Sequence, residues 1–362
     1  MIKLTGYSII AFVLYLSTVI SAYIVSEVAL TRGIVLGNSF LQDYQRDYYF
    51  NEGYRHFWQM QKDCITLDEE LIYLPRIGGC RFQNPEFDTT LHFDATGRKR
   101  NQIPSLRSEI GVAILGDSHA MGWGVEDPET FANTIQGELQ KPVYNLAVSS
   151  YGTYRELLRL QRSNLINKVD TILVQYCDND ARENTNIDNE NEFIKAMKSY
   201  QKSYQEHLKG GNWIDLDSLS KFERIVWVAG ISPLTHFSNQ LSRISWRLGQ
   251  WVAALEPARL DKHNPEDFAY HYKQLTKVLT KFNALLSNKR VVVFYINDRG
   301  LKFEHFPVGR DRIMHNVEFL ELKFDNNEFY TLDGHLNPLG HKTVGDTLSR
   351  YLKETDSVAS LR

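Results

Sequence analysis

The chain has no block of basic residues. Its 41 Lys and Arg are set against 44 Asp and Glu, for a formal charge of −3, so nucleic-acid binding has no electrostatic support. The histidines show no ligand-spaced cluster, and neither a metal nor another cofactor is expected. Cysteine is scarce, with three in 362 residues. Cys64 and Cys80 sit in a loop-rich stretch, where in an exported domain they could pair or stay as two thiols. Cys177 reads as a small buried filler. Aromatic residues, by contrast, reach 12%, and several lie outside the expected core.

One long apolar run stands near the amino terminus: residues 7–26 contain no charged side chain. About 20 residues rising 1.5 Å each span roughly 30 Å, the thickness of a hydrocarbon core. An uncleaved anchor is the preferred reading. The apolar stretch runs on through Tyr23-Ile24-Val25, past the small residues Ser21 and Ala22 at which a signal peptide would be cut. A cleaved signal and a buried soluble helix are the alternatives. Lys3 precedes the span and Glu27 and Arg32 follow it. The positive-inside rule then favours a single-pass protein with its large domain on the outer (periplasmic or extracellular) side.

Gly116-Asp117-Ser118-His119 directly follows the apolar run Val112-Ala113-Ile114-Leu115. A serine where a buried strand stops can expose its hydroxyl at the carboxyl edge of a sheet, where open α/β folds place ligands. Serine needs a base to act as a nucleophile, and the base needs an orienting acid. Asp333-Gly334-His335 carries both residue types. A third polar cluster, Asn179-Asp180, follows the apolar run Thr171-Ile172-Leu173-Val174-Gln175-Tyr176. Each cluster alone is common in turns, but three at strand ends converge on one rim of one sheet. That convergence points to ester chemistry.

These segments resemble the SGNH (GDSL-type) hydrolase and O-acetyltransferase superfamily over roughly residues 111–352, with a long interruption. The resemblance implies that Ser118 is the nucleophile, His335 the base and Asp333 the acid. It also implies an oxyanion hole made by the backbone N–H groups of Ser118 and Ser150 and by the Asn179 side chain. Asn145-Leu146-Ala147-Val148-Ser149-Ser150-Tyr151-Gly152 is similar to the block that usually brings a glycine to that hole. Here Ser150 stands at the glycine position, so its amide serves only if Ser150 adopts the required backbone angles; Gly152, two residues on, is a secondary candidate. The last block commonly reads Asp-x-x-His; in this chain Leu332 holds that acid position and Asp333 sits two before His335, a spacing found in acetyl-transferring members. His119 is expected to pack against or position the nucleophile, and His341 to be structural.

Strands alternating with helices imply a three-layer α/β/α sandwich with a parallel sheet. Three parts are expected: a membrane anchor at 1–33, a juxtamembrane helical and loop segment at 34–108, and a catalytic domain at 109–356 with a helical insertion at about 185–287. Residues 37–63, rich in Tyr44, Tyr48, Tyr49, Phe50, Tyr54, Phe57 and Trp58, read as a helix or helical hairpin leaving the membrane. Its rings would lie at the headgroup boundary or over the catalytic domain. Residues 64–108 should be mostly loop with short strands. A helix should begin at Asp127 as N-cap with Pro128 in its first turn, its apolar face carrying Phe131, Ile135 and Leu139. Strands are expected at 143–148, 171–177 and 290–296, helices at 154–165 and 338–352, the last with Leu339, Val344, Leu348 and Leu352 inward. In the insertion, 193–208 and 268–286 have helical periodicity, 224–228 could be a strand, and 237–255 an amphipathic helix that packs on the core or forms a lid.

The resulting expectation is a serine hydrolase cleaving acyl, and specifically acetyl, esters on cell-envelope or exported glycans through an acyl-enzyme on Ser118. An O-acetyltransferase, a lipid esterase and a catalytically inactive glycan-binding protein are the alternatives. The expected partners are the acylated glycan, the membrane through the N-terminal helix, and a membrane protein that the sequence leaves unidentified.

Overall fold

The computed structural model describes residues 2–37, 39–51, 55–102, 106–177, 180–185, 268–296, 309–310 and 314–359, with a few helical positions between 195 and 205. Asn179, most of the expected 193–208 helix, the 224–228 strand and the 237–255 helix lie outside the described residues.

In chain order the strands are β1 (Ile65–Asp68), β2 (Ile72–Pro75), β3 (Gly78–Asn84), β4 (Phe87–Asp94), β5 (Gly97–Arg98), β6 (Gly111–Leu115), β7 (Val143–Asn145), β8 (Val169–Tyr176), β9 (Arg290–Tyr295), β10 (Gly309–Arg310) and β11 (Val317–Glu321). The helices are α1 (Ile2–Leu30), α2 (Ser39–Asn51), α3 (Ser118–Met121), α4 (Phe131–Leu139), α5 (Thr153–Arg162), α6 (Asp180–Asn184), α7 (Phe268–Lys281), α8 (Asn283–Leu286) and α9 (Pro338–Ala359). Among the described residues, nine strands form one sheet in the order β10-β11-β9-β8-β6-β7-β5-β4-β3, and β1 and β2 form a separate hairpin. From β11 to β7 the strands run parallel. β10 at one edge and β5, β4 and β3 at the other attach antiparallel. The expected parallel sheet is therefore the centre of a mixed one.

The near-continuous apolar runs of β6, β8 and β9 fit strands covered on both faces. Their side chains alternate between two cores. Ile114, Leu173, Val292 and Phe294 meet Phe131 and Ile135 of α4 and Val344, Leu348 and Leu352 of α9. Ala113, Leu115, Ile172, Val174, Val291 and Val293 meet Leu157 and Leu160 of α5 and Leu275, Val278 and Leu279 of α7. Helices on each side of the sheet give the α/β/α layering, and the carboxyl ends of the parallel strands share one rim.

Several local expectations shift. Residues 64–108 are not mostly loop, because β3, β4 and β5 extend the main sheet and bury Cys80, Phe82, Phe87, Leu91 and Phe93 on one face. Asp127 does not cap a helix. It begins a 3₁₀ turn whose N-cap is Glu126, and α4 starts under Thr130, whose hydroxyl accepts from Asn133 N. The Asp127 carboxylate is drawn instead to the buried Arg98, 3.0 Å from Nε, and to His92. A buried guanidinium left without that anion would be far costlier than a lost cap. Leu339 is 47% exposed, since it falls off the four-residue spacing that turns Val344, Leu348 and Leu352 inward. Cys177 is half-buried rather than buried. Cys64 and Cys80 are joined by a disulfide.

Within α1, the stretch Val13–Leu30 is long and apolar enough to cross a membrane, with mean hydropathy 1.8. Its last turns are part of a small core. Val19, Tyr23 and Leu30 pack with Tyr48 and Tyr49 of α2 and with Leu332. The Tyr23 ring lies 5.1 Å from that of Tyr48, and Tyr48 Oη donates to Glu27 Oε2 at 2.8 Å. Val13, Leu14, Ile24, Val25 and Val28 are left exposed on the rest of α1. The rings of Tyr48, Tyr49 and Trp58 are buried in protein contacts, while Phe50 is exposed.

Tyr23→Ala should destabilise the detergent-solubilised full-length chain by about 3 kcal/mol, the usual cost of emptying a buried aromatic site. Thermal unfolding reads this directly, and an unchanged midpoint would mean that α1 does not dock on α2.

Candidate active site

The rim position of Ser118 follows from local constraints. β6 ends at Leu115, and Gly116 adopts φ +153°. A Cβ on Gly116 would come within 2.6 Å of Ala120 Cβ and of Gln175 Oε1, so the turn closes only around glycine. Asp117 then N-caps α3, its carboxylate accepting from His119 N at 3.0 Å. Gln175 of β8 fixes the same turn, its Oε1 accepting from Asp117 N and Ala120 N. Below α3 the Arg98 guanidinium donates to the carbonyls of Met121, Gly122 and Val125. Ser118 is the first residue of the helix, where the backbone N–H has no intrahelical acceptor.

The second segment lies in the loop closed by an isolated bridge, Phe329 to Leu336, just before α9. Gly334 has φ +81°, the left-handed conformation that glycine adopts at no steric cost. The turn it makes puts Asp333 and His335 side by side, with Asp333 Oδ1 in a short hydrogen bond to His335 Nδ1. His335 Nε2 is 2.7 Å from Ser118 Oγ. The indole of Trp123 stacks on the His335 imidazole with centroids 4.6 Å apart and planes 12° apart. His119 lies against the same ring at 4.6 Å. Ser118, His335 and Asp333, expected together, are thus brought into one hydrogen-bonded series. Leu332, at the more common acid position, is buried against α1 and α2 instead.

Asp333 has further partners that sequence reasoning missed. Its Oδ2 accepts a short hydrogen bond from the Tyr49 hydroxyl and lies 3.3 Å from Arg55 Nε. The amides of Leu332 and Asp333 both donate to Glu86 Oε2, at 2.9 and 2.8 Å. Burial by itself would raise the Asp333 pKa. The His335 charge and hydrogen bond, Arg55 and Tyr49 outweigh it and hold the carboxyl well below the usual carboxylate range. Nothing in the sequence near Asp333 marks Tyr49, Arg55 or Glu86 as its neighbours; aromatic enrichment of 37–63 is the one faint signal for Tyr49.

The remaining expected residues are placed unevenly. Ser150 has φ +62°, so the serine at the glycine position does reach the left-handed backbone region. Gln59 Nε2 donates to its Oγ at 2.8 Å and Arg155 donates to its carbonyl, and these contacts fix the conformation. The neighbouring Ser149 N lies 3.4 Å from Met121 Sδ, which sets this loop beside α3. Gly152 is the N-cap of α5 and its N–H is engaged by Glu183 Oε2 at 3.2 Å. His341, in the first turn of α9, is structural: its Nδ1 accepts from Phe131 N at 3.3 Å and its ring stacks on Phe131. Among the described residues, no group of His, Cys, Asp and Glu could hold a metal ion.

The sequence model of GDSL-like lipases and acylhydrolases matches residues 112–348. The chain belongs to that family. Membership supports acyl-ester hydrolysis. No curated protein matches the sequence. Among solved structures, a carbohydrate esterase family 2 enzyme with a carbohydrate-binding domain, from Corynascus thermopiles (Myceliophthora fergusii), aligns over 70% of this chain and 68% of its own. The identity is 10% and the TM-score 0.36, too low for the likeness to carry weight.

His119 and His341 make the stability of this GDSL-family chain depend on pH. Burial, followed by the charge of His335, pushes His119 down to about 3, and burial likewise pushes His341 well down. Both rings are neutral when folded, whereas unfolded imidazoles ionise near pH 6.5. The stability they carry is complete above that pH and is lost as the pH falls below it, by up to about 1.4 kcal/mol per histidine per pH unit. Chemical denaturation at pH 7.5 and pH 5 should therefore show a clear drop at the lower pH; equal unfolding free energies would contradict it.

Proposed function

We propose that this family member is a membrane-anchored serine esterase that removes small acyl groups, acetyl above all, from cell-envelope or exported glycans. The observation that carries the reading is the 2.7 Å contact of Ser118 Oγ with His335 Nε2, backed by Asp333 on Nδ1. In this mechanism Ser118 Oγ attacks the ester carbonyl while His335 takes the hydroxyl proton. The carbonyl carbon–alkoxy bond breaks, and His335 returns the proton to the departing alcohol. Water, deprotonated by His335, then hydrolyses the acyl-enzyme to the free acid and Ser118. Asp333 holds the imidazole tautomer and stabilises its charged form. The amides of Ser118 and Ser150 and the side chain of Asn179 are the proposed oxyanion donors, each worth about 3 kcal/mol of barrier.

Ser118 is only 8% exposed, and the His335 ring it contacts is itself flanked by Trp123 and His119. So confined a nucleophile favours a short acyl chain. The disulfide and the apolar α1 support an exported domain, where O-acetylated glycans present such esters. The catalytic unit expected at 109–356 is proposed to include β3, β4 and β5, since they share its sheet, with 1–33 as the anchor. An uncleaved α1 is supported by its docked turns: cutting after Ala22 would remove Val19 and Ala22 from buried positions. Intact mass of the membrane-extracted protein should retain those residues, and a mature chain starting at Tyr23 would refute the anchor.

Turnover of an activated acetyl ester tests the mechanism. Ser118→Ala should abolish it with little change in stability, and His335→Ala should be comparably severe, because members of such a unit do not add independently. Asn179→Ala should lower turnover by roughly 10²–10³-fold. Wild-type turnover in Ser118→Ala would end the proposal. Capture of the acetyl group by an added glycan in preference to water would make the same acyl-enzyme that of a transferase.

A further inference from the structure

Tyr49 lies 284 residues before Asp333 in the chain, yet its hydroxyl and the Asp333 carboxylate are hydrogen-bonded partners in a buried setting. The two carboxylate oxygens divide their work: Oδ1 takes His335 Nδ1, and Oδ2 takes Tyr49 Oη with Arg55 Nε beside it. Arg55 is in turn held over the rings of Phe50, Phe57 and Trp123, at 4.8, 5.0 and 5.4 Å. Trp123 is the same indole that stacks on His335. The amino-terminal segment therefore meets Asp333 directly and reaches His335 only through Trp123.

We infer that Tyr49 is a positioning residue for the reaction: its hydroxyl fixes the Asp333 carboxylate and draws charge from it, thereby setting the basicity of His335. This rests on the Ser118–His335–Asp333 reading above. The role suits Tyr49 because burial and the adjacent Asp333 charge push its phenol far up, so that it remains a donor throughout the working range. Its ring is also fixed, packing edge-on against Phe50 at 5.3 Å. The α2 helix that carries it is docked on α1 through Tyr23 and Tyr48 and through the Tyr48–Glu27 hydrogen bond. The helix that follows the apolar α1 thus bears directly on the proposed catalytic acid.

The expected sign follows from charge. Asp333 is faced by His335 from its own turn, by Tyr49 and Arg55 from the N-terminal segment, and by Glu86 from the turn between β3 and β4. His335 is faced in addition by His119 and Trp123, and Tyr330 adds a distant phenol. Tyr49 and Arg55 are the donors on Oδ2. Without either, more negative charge remains on Oδ1, the His335 imidazolium is better stabilised, and its proton leaves at higher pH.

The test uses the full-length protein and the pH profile of kcat/KM on p-nitrophenyl acetate. Tyr49→Phe keeps the ring and removes only the hydroxyl. It should move the acid limb upward by roughly one pH unit and lower kcat about tenfold, the worth of one charge-assisted hydrogen bond, with KM little changed. Arg55→Gln should move the limb in the same direction and serves as the second variant should Tyr49→Phe fold poorly. Tyr48→Phe, whose hydroxyl reaches Glu27 rather than the acid, should leave the limb in place. An acid limb at the wild-type position in Tyr49→Phe and Arg55→Gln overturns the inference, even if kcat or stability falls. Ser118→Ala separates the two levels. A dead Ser118→Ala with an unmoved Tyr49→Phe limb sinks this inference alone, whereas an active Ser118→Ala removes the triad reading and this inference with it.

Discussion

The Asp333 side chain is fully buried, with no exposed surface, and the architecture around the site is organised by the need to satisfy it. An ionised carboxylate taken out of water costs several kcal/mol unless charges and donors replace the lost hydration. Here the replacements are His335 from the same turn and Tyr49 and Arg55 from the N-terminal segment, while Glu86 holds the turn by accepting from its backbone amides. Meeting that requirement ties described residues among the first hundred to the folded body. They supply donors to the acid, a helix that buries Leu332, and three strands of the main sheet.

A second constraint acts at the other end of the His335 hydrogen bond. Ser118 reaches the rim because β6 stops where Gly116 permits a close turn against Gln175, after which Asp117 starts a single-turn helix. Arg98 holds the far side of that turn through three carbonyls and requires Asp127 for its charge. Ser118 is thus fixed from β8 on one side and from β5 on the other. Such rigidity is what keeps the hydroxyl within 2.7 Å of His335 Nε2 and what a preorganised acyl-transfer site needs.

Much of this was legible because its signals are local. The runs that became β6, β8 and β9 announce buried parallel strands, and the Ser118 and Asp333-Gly334-His335 segments sit where those strands and the last helix put chemistry. The spacing question at Leu332 also resolves physically: the leucine turns into the α1–α2 core and leaves Asp333 to face His335. Glycines and prolines disguised 64–108 as loop, although Phe82, Phe87, Leu91 and Phe93 carry a period-two pattern of one-sided strands. Asp127 had the right chemistry for a cap, but a buried Arg98 outbid it, and no local rule contains that competition. Tyr49 and Arg55 are tertiary neighbours of Asp333 brought in from a distant segment, so no spacing could reveal them.

The most direct measurement of the central claim is the site of covalent capture by a serine-directed fluorophosphonate, read by mass spectrometry of proteolytic peptides from the full-length protein. A nucleophile activated by His335 should carry the adduct on Ser118, and the adduct should disappear in His335→Ala while the fold is retained. Capture at another serine, or undiminished labelling of Ser118 without His335, would contradict the account.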